Sequence, residues 1–413
     1  MELHLLYRLA LTGLLFVLAG CMGSLSPARA LPEQVGPHPV GVTTIRVADE
    51  SRDRNLAVEV WYPADHVDSA VEPAVYQVQA MGGTVARLRS PAKAQREIAP
   101  WRDAGPRPVV LLSHGSGSNR YASSTLAEVL ASNGYIVAAP DHDGHTTSDE
   151  IWGISENDRA QSAYDRPLDL SRVLDALERP EANGDRLLDG LADMSRVAVA
   201  GHSFGGRTAL AMVGARFDIE RQTRECQRHP NDRLCYTLPI FSPHGDAGRY
   251  RYRDDRVKAA FLIAPAGFEF YRADGIAEVD VPVLVVGAKL DRNTPYAEKS
   301  QPIFNSLKTS HYLLGLENAG HLTATDVCTI IDSIGFLARA AGGDDAKDGC
   351  GESYMPPGQA LDLLSNAALA FLDVHLYNDG SAAAVARLDS ALHTGDKSRI
   401  ATGDQKLIPA QTF

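Results

Sequence analysis

The chain has 413 residues, of which 44% are hydrophobic and 22% charged, with a formal net charge of −12 at pH 7. That length suits one large domain with insertions rather than a minimal fold. The acidic balance, spread along the chain without basic blocks, excludes a nucleic-acid binder and favours solubility.

Residues 1–21 read as a lipoprotein-type signal peptide. Arg8 supplies a positive flank, Leu9 to Leu18 is apolar, and Leu18-Ala19-Gly20-Cys21 follows. The apolar stretch is too short to span a bilayer. Small residues before Cys21 open the backbone to a peptidase and leave Cys21 as a lipidated first residue. Plain secretion, with cleavage after Ala28-Arg29-Ala30, is the alternative. Met22 behind the cysteine, in place of an aspartate, favours the outer membrane. Residues 22–40, rich in Pro, Ala, Gly and Ser, form a tether. The expected location is the cell envelope, with membrane contact through the anchor alone.

Four cysteines remain. The economical pairing is Cys226–Cys235 and Cys328–Cys350, one of three connectivities. Each short closure is worth ~3 kcal/mol on the chain-entropy model. No two cysteines lie at two-residue spacing, so no metal site is expected.

Val42 to Ala48 and Leu56 to Tyr62 alternate apolar and polar side chains, an antiparallel pair joined by a charged turn. Residues 64–105 show weak periodicity and read as an insertion. Pro108 to Leu112 is a continuous apolar run, the mark of a buried strand. A helix follows at Ser123 to Asn133, then a strand at Tyr135 to Ala139. Leu168 to Leu177 is an amphipathic helix. Val197 to Ala200, Val257 to Ile263, Val281 to Val286 and Tyr312 to Leu316 are further strands. Arg207 to Val213 begins a helix, and Ala360 to Leu372 is the last strong one. The alternation predicts an α/β domain over 41–378, a mainly parallel sheet with helices on both faces. Residues 142–160 and 217–255 are polar, carry no clear strand and read as lid or pocket-wall insertions near the top of the sheet. Residues 379–413 form a C-terminal extension.

Chemistry concentrates after the strands. Gly201-His202-Ser203-Phe204-Gly205-Gly206 lies between a buried strand and a helix. A serine at so sharp a turn is exposed and strained, and the glycines remove clashes. Ser113-His114-Gly115-Ser116-Gly117-Ser118 follows another strand and is the expected oxyanion loop. A tetrahedral intermediate needs two N–H donors, here assigned to the amides of Ser116 and Phe204. Asp291, just past Val281 to Val286, is the candidate acid. His321, after Tyr312 to Leu316, is the candidate base. His114 is read as structural and His202 as locally packed. His142 and His145 are candidates for lining the pocket, and His375 and His393 are read as exposed.

These residues place the chain beside a known family. The run Pro108 to Ala139 with Ser113-His114-Gly115, then Gly201 to Gly206, Asp291 and His321, resembles the platelet-activating-factor acetylhydrolase-like and predicted dienelactone hydrolase branch of the α/β-hydrolases. The likeness spans roughly residues 40–375 in element order and is sharp at the motifs and at Tyr135 to Asp141. It implies an α/β-hydrolase fold and hydrolysis of short- to medium-chain, or phospholipid-like, carboxylic esters without metal or other cofactor. True dienelactone hydrolases carry cysteine where this chain has Ser203. Lipase, polyester hydrolase, peptidase and acyltransferase activities are alternatives on the same fold. A non-catalytic envelope binding protein is the last. Oligomeric state is not legible.

Overall fold

The computed structural model describes residues 33–180, 186–244, 249–250, 252–334, 347–377, 379–393 and 400–402. Cys21 and the signal segment lie outside these. The strands are β1 (Val40–Asp49), β2 (Arg54–Pro63), β3 (Val75–Ala80), β4 (Gly83–Arg89), β5 (Gln95–Arg96), β6 (Arg107–Ser113), β7 (Ile136–Pro140), β8 (Ala192–His202), β9 (Phe217–Asp218), β10 (Arg249–Tyr250), β11 (Val257–Ile263), β12 (Val283–Ala288), β13 (His311–Leu316) and β14 (Ile400–Thr402). One sheet takes them in the order β14-β13-β12-β11-β8-β6-β7-β2-β1-β5. From β7 to β13 the pairs are parallel, while β2 pairs antiparallel with both β1 and β7.

Continuous apolar runs form the middle of the sheet because both of its faces are covered. Val110, Leu112, Val137, Ala139, Leu284 and Val286 face one core; Val109, Leu111, Ile136, Ala138, Val283 and Val285 face the other. Packed around them are α1 (Ser124–Ser132), α2 (Thr147–Trp152), α3 (Glu156–Glu178), α4 (Phe204–Met212), α5 (Ile219–Arg228), α6 (Leu238–Phe241), α7 (Phe268–Ile276), α8 (Ser300–Ser306), α9 (Val327–Ile334), α10 (Pro357–His375) and α11 (Ala382–His393). The first core holds α1, α10 and α11; the second holds α3, α4 and α7.

Three segments depart from expectation. Residues 64–105 contain the hairpin β3–β4, turned through Met81 (φ 55°) and Gly82 (φ 78°). Its inward face, Tyr76, Val78, Ala86 and Leu88, is buried. Tyr76 accepts from Trp61 Nε1 at 2.9 Å and donates to Glu128 on α1, whose carboxyl burial pushes up to about 7. Residues 142–160 hold α2 and the first turn of α3. Both helices open on capping boxes, Thr146 with Asp149 and Ser155 with Asp158. Helix α3 therefore starts twelve residues before Leu168 and runs on through Pro167.

The third is 217–255. It leaves from the foot of α4, not the top of the sheet: Asp254 N donates to Met212 O at 3.1 Å, and β9 pairs with β10. Its Phe217 stacks on Phe270 of α7 at 4.2 Å, and its Phe241 meets Phe270 edge-on at 5.6 Å. Its middle reaches the start of α3, where Arg233 approaches Glu156 at 3.8 Å.

Both disulfides form as paired in the sequence reading, Cys226–Cys235 and Cys328–Cys350. In the C-terminal extension, α11 buries Ala384, Leu388, Ala391 and Leu392, and β14 pairs antiparallel with β13. His375 is half-buried rather than exposed, bonded to Tyr312 Oη at 2.9 Å and pushed down to about 4 by burial. The side chain of His393 lies outside the described residues.

Candidate active site

Strand register brings the motif-bearing loops to one edge of the sheet. Ser113 is opposite Gly201, Ile263 opposite His202 and Ala288 opposite Leu316. At the end of β8 the chain turns through Ser203 at φ 55° and ψ −116°, a strained conformation for a side-chain-bearing residue. Surrounding bonds hold it there: Ser203 N to Ile263 O at 2.9 Å, and Ser203 O accepting from Gly206 N at 2.9 Å and Ala266 N at 3.0 Å. Glycine is required on either side. A Cβ at Gly201 would lie 2.1 Å from Gly205 O, and one at Gly205 would lie 1.9 Å from Ser113 O.

Asp291 follows β12, with its side chain fully buried. Oδ1 accepts from Asn293 N (2.9 Å) and Thr294 N (2.7 Å); Oδ2 accepts from Thr294 Oγ1 (2.7 Å) and meets His321 Nδ1 at 2.8 Å. A carboxylate only accepts, so Nδ1 carries the proton and Nε2 keeps its lone pair. The two loops are also joined by Leu290 N to Ala319 O at 2.8 Å. His321 is 8% exposed.

His321 meets the elbow through His202. His202 Nε2 bonds His321 O at 2.8 Å, and the two rings lie 4.7 Å apart. Burial, then the neighbouring His321, pushes His202 down to about 3, so it adds no charge there. Among the described residues no hydrogen bond joins Ser203 Oγ to the His321 ring. The hydroxyl turns about a single bond, and contacts of this kind commonly tighten only with substrate in place.

Behind the His321 loop stand Asp348 and Gly349, just before Cys350 of the bridge to Cys328. Thr323 Oγ1 donates to Gly349 O (2.9 Å), Leu322 N to Asp348 O (2.8 Å), and Arg292 N to Asp348 Oδ2 (2.7 Å). Asp348 thus braces both loops, the one carrying Asp291 through its buried carboxylate and the one carrying His321 through its backbone oxygen.

The loop after β6 lies against the elbow: a Cβ at Gly115 would sit 3.6 Å from Ser203 Cβ. Arg166 of α3, with no exposed surface, holds this loop from behind. It donates Nη1 to His114 O (2.6 Å) and Nη2 to Gly115 O (3.2 Å). Peptide planes are trans, so drawing the Gly115 carbonyl toward Arg166 turns the Ser116 N–H the opposite way. Its guanidinium also lies 4.7 Å from the Phe204 ring. Replacing Arg166 by methionine is expected to lower kcat by roughly 10²-fold, the cost of one misplaced oxyanion donor, with KM little changed. Steady-state kinetics beside a melting curve test this; a fall in Tm with kcat intact would refute it.

His142 and His145 do not line a pocket, since neither has any exposed surface. The turn that carries them folds inward beneath the loop. His142 bridges Ser113 Oγ (2.9 Å) and Asp169 Oδ2 (2.9 Å), and Asp169 is gripped by Arg54 at 2.7 Å through both oxygens. His145 bonds Ser116 Oγ at 2.8 Å and packs edge-on against Phe204. Burial holds both imidazoles neutral. His114, bonded to Gly115 O at 2.8 Å, is structural.

Sequence reasoning missed Arg166, Asp169, Thr294 and Asp348. A signal existed for the first two: Arg166 and Asp169 share a helical face with Leu170, Val173 and Leu177. Charges on an apolar stripe require buried partners.

A mixed, mostly parallel sheet with a strained serine at its edge is the α/β-hydrolase fold. A chlorophyllase family model matches residues 68–220. Cutinase est1 of Thermobifida alba is 24% identical over 263 residues, covering 62% of this chain and 67% of its own. Platelet-activating factor acetylhydrolase of Gallus gallus is 20% identical over 414 residues, covering 86% and 85%. The solved ferulic acid esterase from Streptomyces cinnamoneus superposes with a TM-score of 0.59 at 23% identity, covering 92% of this chain and all of that one. The chain thus has the α/β-hydrolase fold, and these similarities indicate a carboxylic ester hydrolase.

Proposed function

We propose that Ser203, His321 and Asp291 act as the catalytic triad of this esterase. His321 Nε2 takes the proton of Ser203 Oγ as the oxygen attacks the ester carbonyl. The amides of Ser116 and Phe204 receive the oxyanion, the alcohol leaves with the proton, and water activated by His321 releases the acid. The observation that carries this is the buried Asp291–His321 bond at 2.8 Å beside a positive-φ serine. Expected substrates are short- to medium-chain acyl esters, including phospholipid-like ones. The similar cutinase, platelet-activating factor acetylhydrolase and ferulic acid esterase support carboxylic ester hydrolysis. Ile151 and Trp152, 48% and 73% exposed on α2, offer an apolar rim, and Thr147 N ties that helix to the oxyanion loop at Ser118 O. A fluorophosphonate probe should label Ser203, with turnover of p-nitrophenyl acetate and butyrate exceeding that of the palmitate. Neither labelling nor turnover of any of the three would defeat the reading.

The exported location rests on two disulfides, which persist in oxidising compartments. Residues 1–21 act as a lipoprotein signal and Cys21 carries the lipid, with 22–40 as tether to a catalytic domain over 41–378. Changing Cys21 to serine should move the protein from the membrane fraction to the soluble one; unchanged membrane association would argue against the anchor.

A further inference from the structure

Arg207 lies four residues beyond Ser203, on the first turn of α4, and the mechanism above does not use it. Its guanidinium sits 3.7 Å from the ring centre of Phe204 and 4.7 Å from that of Phe270. The stem lies along Gly267, where a Cβ would come within 3.0 Å of Arg207 Cγ. Its backbone oxygen is anchored by Tyr271 Oη at 3.0 Å. The side chain is thus packed in place rather than free to wander.

Its charge is not matched. Among the described residues Arg207 has no carboxylate within salt-bridge distance, and its guanidinium donates no hydrogen bond. Glu269, whose field reaches it, is engaged by Lys299 Nζ at 2.8 Å. Arg159, the other cation at this rim, is balanced by Glu150 at 3.5 Å. Arg166, 4.7 Å from the centre of the same Phe204 ring, is bonded only to carbonyls. Yet Arg207 is only half-buried, and its nitrogens are absent from the buried, unpartnered atoms that include Arg166 Nε. Its donors therefore reach solvent. A partly desolvated cation without a counter-ion is costly, and stacking on aromatic faces offsets only part of that cost. An anion arriving beside Phe204 would complete the pairing.

We propose that Arg207 forms an anion-binding subsite beside the nucleophile, so that the ester substrates of this enzyme carry a carboxylate or a similar anionic group. This rests on the esterase reading above and narrows its substrate class. Charge-assisted bonds from a planar guanidinium favour a carboxylate or phosphate over a neutral polar group.

Two matched pairs of esters test it on the full chain. One places the charge on the acyl part, mono-p-nitrophenyl glutarate against p-nitrophenyl valerate. The other places it on the alcohol part, 4-acetoxybenzoate against the methyl ester of 4-acetoxybenzoic acid. The quantity read is the ratio of kcat/KM, anionic over neutral. In at least one pair Arg207→Gln should lower that ratio roughly tenfold or more, and Arg207→Lys should keep part of it. The pair that responds tells which side of the ester meets Arg207. Equal ratios in wild type and Arg207→Gln for both pairs overturn the subsite. That includes an equal fall on every ester, which would mark a role in oxyanion stabilisation or packing. Wild type inert on all four esters would instead overturn the esterase reading, and the subsite with it.

Discussion

Replacing Ser203 by alanine abolishes hydrolysis of p-nitrophenyl acetate, with kcat falling by about 10⁶ and only the weak residual catalysis of the oxyanion site remaining. The fold should survive. Alanine pays no more than serine for φ 55°, and the bonds that hold the elbow run through backbone atoms, Ser203 N and Ser203 O. Stability should stay within about 0.5 kcal/mol of wild type, as for other changes that remove no packing. Fluorophosphonate labelling disappears together with activity. Retained turnover in this variant would remove Ser203 from the mechanism, whatever the elbow geometry.

Changing Asp291 to asparagine should cut kcat by about 10⁴ while leaving the protein folded. The hydrogen bonds around the carboxylate explain why. Backbone N–H groups of Asn293 and Thr294 point at Oδ1, so the amide oxygen of the variant takes that place. Its NH₂ then falls where Oδ2 was, facing Thr294 Oγ1 and His321 Nδ1. His321 must accept there, which moves its proton to Nε2 and leaves no base for the serine. Rate measurements over pH with a good leaving group read this directly. A loss of less than tenfold would mean that another carboxylate orients the imidazole.

The extent to which these residues were legible beforehand differs by element. Helix α2 and the start of α3 carried two capping boxes that a search for apolar periodicity passed over, because capping is polar. The hairpin β3–β4 alternates plainly once the Met81-Gly82 turn is recognised, but its neighbours are irregular and diluted the period. The path of 217–255 had no local mark: its entry at the foot of α4 follows from where that helix ends in space. The inward turn of His142 and His145 likewise depends on Asp169 and Ser116, side chains from two other elements.

By itself the sequence determined the alternation of buried runs and amphipathic helices, the positions of the loops that follow them, and the chain order Ser203, Asp291, His321. Periodicity and turn chemistry are local, and they specify which faces are buried and where the chain must bend. Only the tertiary structure decided which groups stand behind those loops. Arg166 on the loop after β6, Asp348 across the loops of Asp291 and His321, and Arg207 without a counter-ion are each set by contacts between segments far apart in the chain. A buried charge is read from its sequence neighbours as an oddity. What it does depends on the dipoles and carboxylates that folding brings, or fails to bring, within reach.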